Sequence, residues 1–335
     1  MKTKIGLMKL VLMAFVFAIA LTIVACTGDE PAERESVSVE LDWYPNANHS
    51  GIFVAQDQGY FDEENLDVDV RPPADPALVA QIVASNERDF GIFYQTDTLL
   101  ARNEGLPIVA LKAIVQRPLN SLMALKSSGI TRPADLKGKK VGYPGIEWNV
   151  KMLGTMLESD GLTLDDVETV DIGWALWETL AAGTVDAIIG AYWSHESILL
   201  EQKGYPVEII YPEDYGVPQY YEMMLITSER MIEERPDAVE RFVRAFTKGY
   251  EFGLDDPQGA IDILLELNPE QEEIEDIERP SIDMLTDQAW RADETGEFGT
   301  MTTERWLSVA EFMKDQGEID ADLDETEAWT DEYLD

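Results

Sequence analysis

Two histidines occur in this 335-residue chain, and each stands among aromatic, amide or carboxylate side chains. His49 lies near the end of the run LDWYPNANHSG from Leu41 to Gly51, preceded by Trp43, Tyr44, Asn46 and Asn48. His195 lies in AYWSHE, beside Tyr192, Trp193 and Glu196. Aromatic faces of this kind stack on a flat ring, while amides and carboxylates read its polar edge. The same inventory includes Tyr94 and Gln95 after DFGIF, Asn120 in RPLNS and the loop YPGIEWN with Gly145. The tract YGVPQYYEMM adds Tyr220 and Glu222 as a further wall. Cations are sparse, with only Arg117 and Lys151 near these positions. The set therefore suits an uncharged or weakly basic heterocycle better than a phosphate, sulfonate or carboxylate.

Within AYWSHE, Tyr192 and Glu196 stand four apart and share one face if a helix starts early. Tyr192 would stack, and Glu196 would accept hydrogen bonds from ring amino or protonated nitrogen groups. Charge-assisted bonds of this type contribute roughly 1.5–3 kcal/mol each. The alternative for Glu196 is a solvated residue in a first helical turn, favoured there by the helix dipole. His49 either faces the ligand or caps the following helix. No G-x-S-x-G elbow, P-loop or H-E-x-x-H run occurs, so no catalytic residue is expected and the chain is read as a non-enzyme. A metal site on the two histidines would need two further ligands, and none is identifiable, so no metal or cofactor is expected.

These residues need elements to hold them. In VSVELDW, apolar Val37, Val39 and Leu41 alternate with polar positions, the period of a strand, and HSGIFVAQDQGYF reads as a helix. Strand-like LDVDV, DFGIFY and PIVALKAIVQ alternate with helical PALVAQIVAS and TDTLLARNEG. A second series follows, with strands KKVGY, VETVDIG and DAIIGAYW and helices NVKMLGTMLESDG, ALWETLAAG and HESILLEQKG. This is an α/β chain, each lobe a sheet flanked by helices, and its length calls for two lobes. QIVASNERDFGIFY and TLAAGTVDAIIGAYW echo each other, each bringing an aromatic pair, Phe93–Tyr94 or Tyr192–Trp193, to a strand's carboxyl end. Ligands of open α/β sheets bind outside those ends, so a cleft between the lobes is the expected site. The expected boundaries are a first lobe over 37–125, a second over 126–226, and a return to the first over 227–335. The helix in Met301–Lys314 should present Trp306, Leu307, Val309, Ala310 and Phe312 to a lobe, and the acidic tail EIDADLDETEAWTDEYLD should be only partly packed.

The amino-terminal 25 residues read as an export signal, with Lys2, Lys4 and Lys9 ahead of the apolar run LVLMAFVFAIALTIV. IVAC, ending at Cys26, resembles a bacterial lipoprotein box, which implies cleavage before Cys26 and a lipid anchor on it. Residues 26–36 would be a polar tether. Cys26 is the only cysteine, so an internal disulfide is excluded. The formal net charge of −41 repels nucleic acid. Its acids are dispersed rather than gathered in one tail, as in a soluble domain from a salt-loving organism, where salt screens self-repulsion.

LDWYPNANHSG with VAQDQGYF, RPLNSLMAL, DLKGKKVGYPGI, VDAIIGAYWSHE and DYGVPQYYE together resemble the thiamine-pyrimidine-precursor binding proteins of bacterial ABC importers. These share a superfamily with the yeast-type pyrimidine synthases, and the resemblance runs from about Val37 to Phe252. It implies a two-lobed periplasmic-binding-protein-like fold (type II), mixed sheets, a ligand in the interlobe cleft, and closure followed by docking on a permease with its ATPase. The implied cargo is formylaminopyrimidine or hydroxymethylpyrimidine, and a monomer is expected. The resemblance supports Trp43, Asn46 and Tyr94 in the pocket, and Tyr192 and Glu196 most of all. The synthase branch carries a cysteine-rich run where this chain reads QYYEMMLIT, and a catalytic histidine and cofactor lysine near FYQTDTLLAR. This chain has none of these, which argues against pyrimidine synthesis. Related importers take sulfonates or riboflavin; the riboflavin carrier is the alternative reading. A ligand sensor and a secreted enzyme using Asp or Glu are the remaining ones.

Overall fold

The computed structural model describes residues 34–291 and 295–333. The signal segment, Cys26 and most of the tether lie outside the described residues. Strand β1 spans Glu35–Glu40, so the last two residues expected in the tether are already strand. Their backbone is held there: Arg235 donates from Nη2 to the Ser36 carbonyl at 2.9 Å.

Val37, Val39 and Leu41 are fully buried, as their alternation predicts. β1 joins β2 (Leu66–Arg71), β3 (Phe90–Phe93), β4 (Ile108–Val115) and β10 (Met223–Ser228) in a sheet of order β2-β1-β3-β10-β4. β1 and β3 run parallel, and β10 lies antiparallel between β3 and β4. The second sheet has order β7-β6-β8-β5-β9. Its members are β5 (Asn120–Leu125), β6 (Lys140–Tyr143), β7 (Glu168–Asp171), β8 (Ala187–Tyr192) and β9 (Val207–Ile210). β6 is parallel to both β7 and β8, while β5 is antiparallel to β8 and β9. Both sheets are therefore mixed.

Each sheet owes its antiparallel partner to a chain crossing. β5 pairs with β8 and β9, so the first crossing comes before Asn120 and not after Leu125. β10 pairs with β3 and β4, so the return comes before Met223 and not after Ile226. Burial alone does not mark these points, because β4, β5 and β10 are all apolar and mostly buried.

The expected helix HSGIFVAQDQGYF is broken in two, Ser50–Asp57 and Tyr60–Glu63, at Gly59. The helix Pro236–Asp255 crosses the first of these at a contact only glycine permits. A Cβ on Gly249 would lie 2.0 Å from the Gly51 carbonyl oxygen, and one on Gly51 would lie 2.3 Å from the Tyr250 ring. Tyr250 then donates to the Asn48 carbonyl at 2.9 Å, pinning the loop that precedes the helix.

Helix Thr303–Asp315 buries Trp306, Val309, Ala310 and Met313. Leu307, expected on that face, is 43% exposed, because it lies on the flank of the helix, about 100° around from Trp306 and outside the buried stripe. The acidic tail packs more than its charge suggests. Trp329 stacks on Trp306 with rings 6.0 Å apart and bridges to Ala110 of β4, while Ala328 is fully buried.

Candidate ligand-binding site

Asp42 stands just past the end of β1, and Tyr94 just past β3, so both lie at one carboxyl edge of the first sheet. The Tyr94 hydroxyl donates to Asp42 Oδ2 at 2.6 Å. The other Asp42 oxygen is 2.7 Å from His49 Nε2. His49 Nδ1 accepts the Asn46 backbone N–H at 3.2 Å, which places the ring proton on Nε2, donating to Asp42. His49 is fully buried. Its side chain does not cap the following helix, Ser50–Asp57; it turns back instead and forms a capping box with Asn46 around the turn Ala47–His49. Asn46 Oδ1 accepts from both nitrogens of Asn48 at 3.0 Å, so Asn46 also holds this turn.

The second group gathers on Glu222, immediately before β10. Its Oε2 accepts the Leu119 N–H at 2.7 Å, and its Oε1 accepts from Asn120 Nδ2 and the Tyr192 hydroxyl, both at 3.0 Å. Glu222 thus ties both crossings to the carboxyl end of β8. Burial pushes its carboxyl up from 4.5 to about 7, against the pull of these hydrogen bonds. Tyr192 is held well above the ordinary phenol range, first by burial and then by Glu222, Tyr94 and Asp42. The two lobes therefore bring Asp42, Tyr94, Tyr192 and Glu222 into one electrostatic group. Tyr220 is buried behind it, its hydroxyl 3.3 Å from Asn120 Nδ2.

Only one member of each expected aromatic pair reaches this edge: Phe93 and Trp193 are buried, and Trp193 donates to the Pro118 carbonyl at 2.8 Å. The register explains it, since neighbours along a strand point to opposite faces. Tyr192 and Glu196 do not share a helix face. Tyr192 ends β8 and the helix begins at Glu196, whose Oε2 turns back to accept the Tyr192 N–H at 2.7 Å. Glu196 Oε1 is 3.0 Å from His195 Nδ1. Although burial opposes the charged form, Glu196 and then Glu278 raise the His195 pKa. Glu278, buried on the helix Glu275–Gln288, accepts the Ala47 N–H at 2.5 Å; burial raises its carboxyl.

Trp43 is 42% exposed, and its ring centroid is 5.8 Å from that of Trp174, just past β7 of the other lobe. Gly145 follows β6 with φ +79°, above Asp171 Oδ1, which a Cβ there would meet at 3.3 Å. Arg117 and Lys151 are engaged elsewhere. Arg117 pairs with Glu213 at 2.6 Å and lies over the Tyr211 ring, and Lys151 pairs with Glu318 at 3.3 Å. The residues that inspection of the sequence misses are Asp42, Trp174 and Glu278. Asp42 sits inside the run that draws attention first, yet nothing in LDWYPN distinguishes a buried carboxylate from a solvated one.

A group whose acceptors are carboxylates and whose walls are phenols and indoles can receive a ligand that donates hydrogen bonds from a flat ring. The family model described as NMT1/THI5 like matches residues 46–260. The chain belongs to this family. Among NMT1/THI5-like relatives, it is 37% identical to the formylaminopyrimidine-binding protein of Halalkalibacterium halodurans, over 86% of this chain and 87% of that one. It is 27% identical to the 4-amino-5-hydroxymethyl-2-methylpyrimidine phosphate synthase THI13 of Saccharomyces cerevisiae, over 70% and 72% of the two chains. Among solved structures, it resembles the periplasmic aliphatic sulphonate binding protein SsuA of Escherichia coli with a TM-score of 0.69. That likeness covers 88% of this chain and 92% of SsuA at 14% identity, and it shows the fold: that of a periplasmic binding protein.

Proposed function

We propose that this NMT1/THI5-like protein is the substrate-binding component of a bacterial importer for a thiamine pyrimidine precursor, formylaminopyrimidine or hydroxymethylpyrimidine. The observation that carries this reading is the donor set around Asp42 and Glu222. Among the described residues, their hydrogen-bond distances run to phenols, backbone and side-chain amides and an imidazole rather than to Lys or Arg. A carboxylate held this way can exchange a phenol for a ligand amino group, whereas a sulfonate would meet like charge. Tyr94 and Tyr192 offer ring faces from the two lobes, and Asn120, Glu196 and the Gly145 loop lie along the second. Identity to a pyrimidine-binding relative over most of both chains supports the same cargo. Contact with both lobes at once would favour the closed form, which a permease and its ATPase then engage.

The chain works outside the cell on this reading, held to the membrane by a lipid on Cys26. The test of cargo is calorimetric titration of the protein at high salt with formylaminopyrimidine, then with riboflavin. A stoichiometric heat from the pyrimidine alone is expected. Heat from riboflavin alone would keep the importer and overturn the cargo. Conversion of the bound pyrimidine to product would overturn the binding-protein reading itself.

A further inference from the structure

Trp174 is the large apolar side chain the structure leaves most exposed, at 69%. No core explains it. Its backbone is nonetheless well held: the Ile172 N–H donates to the Tyr143 carbonyl at 3.0 Å, the Gly173 N–H to Asp171 Oδ1 at 3.0 Å, and the Ala175 N–H to the Ile172 carbonyl at 3.3 Å. The turn after β7 therefore presents an indole to solvent from a fixed position. What that indole meets is Trp43 of the other lobe, with ring centroids 5.8 Å apart and planes tilted by 43°. Tyr44 packs edge-on against the far side of this pair, 5.8 Å from Trp43. Three exposed rings gathered where two lobes meet form an apolar patch that calls for a role.

The strand orders say where this contact lies. The crossings enter through β4, β5 and β10, so the parts of each sheet nearest them are the hinge side. β3 borders β10 and β8 borders β5, and these carry Tyr94 and Tyr192, the inner tier. β1 lies one strand further out than β3, and β7 two strands further out than β8, about 10 Å at the usual strand spacing. Trp43 and Trp174 follow those outer strands at the same carboxyl edges. They form an outer tier, with the Gly145 loop of β6 between the tiers on the second lobe.

From this geometry we infer that Trp174 is the second-lobe half of an aromatic latch, closing with Trp43 over the outer end of the cleft and setting how long a bound ligand stays. The inference rests on the proposed binding function for its retention part, while the latch itself is a property of the protein alone. An aromatic pair of this geometry is worth a factor of roughly two to ten in the closed-to-open ratio. The contact forms only when the lobes meet, so its loss speeds ligand release and leaves the encounter rate nearly unchanged. Trp174 has little buried surface to lose, so its variants keep the fold.

Two readouts test this on the full chain, with wild type, Trp174→Ala, Trp174→Phe and Trp43→Phe. The first needs no ligand. Two indoles this close couple their strong ultraviolet transitions, giving a paired positive and negative band near the far-ultraviolet indole absorption in circular dichroism. The wild-type-minus-variant difference should show that band pair for every variant. Its absence from the differences overturns the latch, whatever the cargo. The second is release of radiolabelled formylaminopyrimidine chased with excess unlabelled compound, or of riboflavin should that be the ligand bound. Trp174→Ala should release it about two- to tenfold faster, and Trp174→Phe, which keeps a ring, should restore most of the wild-type rate. Equal release from wild type and Trp174→Ala overturns the retention role. A band pair that vanishes when wild type is saturated also overturns it, since the rings would then part over the ligand. A wild type that binds no pyrimidine defeats the proposed cargo and leaves the first readout to judge the latch.

Discussion

Glu222 makes a stability prediction with a defined sign. Burial disfavours the charged form and pushes its carboxyl from the ordinary 4.5 of an unfolded chain up to about 7 in the fold. A raised carboxyl contributes stability that is fully present below the unfolded value and is lost as pH rises through the folded one. Between pH 4.5 and 7 the folded chain holds a proton that the unfolded chain has released. Stability should therefore fall by about 1.4 kcal/mol per pH unit from this group, reaching about 3 kcal/mol above pH 7. For a chain of this size that is a melting shift of about 6 °C. Glu222→Gln removes the titration while keeping much of the bonding. Its amide oxygen can accept from Leu119, and the Tyr192 hydroxyl can turn to accept from the amide nitrogen. Thermal melts of both proteins from pH 4 to 8, at one high salt concentration, isolate the effect. Salt holds the self-repulsion of the acidic surface constant, and every other titrating group, including His195 and Glu278, is common to both proteins. The wild type should lose about 6 °C relative to Glu222→Gln across the window pH 4.5–7 and nothing further above it. Parallel curves would refute the argument that burial dominates this carboxylate.

Asp42→Asn leaves an amide where two donors, Tyr94 Oη and His49 Nε2, both need an acceptor. It should destabilise the fold by roughly 1.5–3 kcal/mol in urea titrations and weaken pyrimidine binding in the same calorimeter; no change in either would remove Asp42 from the site. Cys26→Ser should move the protein from the membrane fraction to the soluble one, and retention at the membrane would refute the lipid anchor.

Much of the fold was legible in the chain because its signals are local. The alternation of Val37, Val39 and Leu41 predicts a strand with one buried face, and the repeated run from helix to aromatic-ended strand predicts two similar halves. The resemblance carried by WYPNANHSG and AYWSHE led to the right family for the same reason: those motifs are contiguous. The lobe boundaries were not legible, because β5 and β10 read as apolar strands whichever sheet they join. Only pairing with β8 and with β3 decides between them.

The sequence by itself determined which groups were available: acceptors and rings in abundance, few cations near them, and a single cysteine. Tertiary structure decided what each group does. His49 became a buried strut and Glu196 turned back on Tyr192, since their backbone neighbours offered donors that no spacing rule reveals. Asp42 gained its importance from Tyr94, 52 residues away, and Glu222 from Asn120, 102 away. Trp174 gained a role only by meeting Trp43 from the opposite lobe. Burial and long-range pairing set the worth of a charge or a ring, and both are properties of the folded chain that no local window contains.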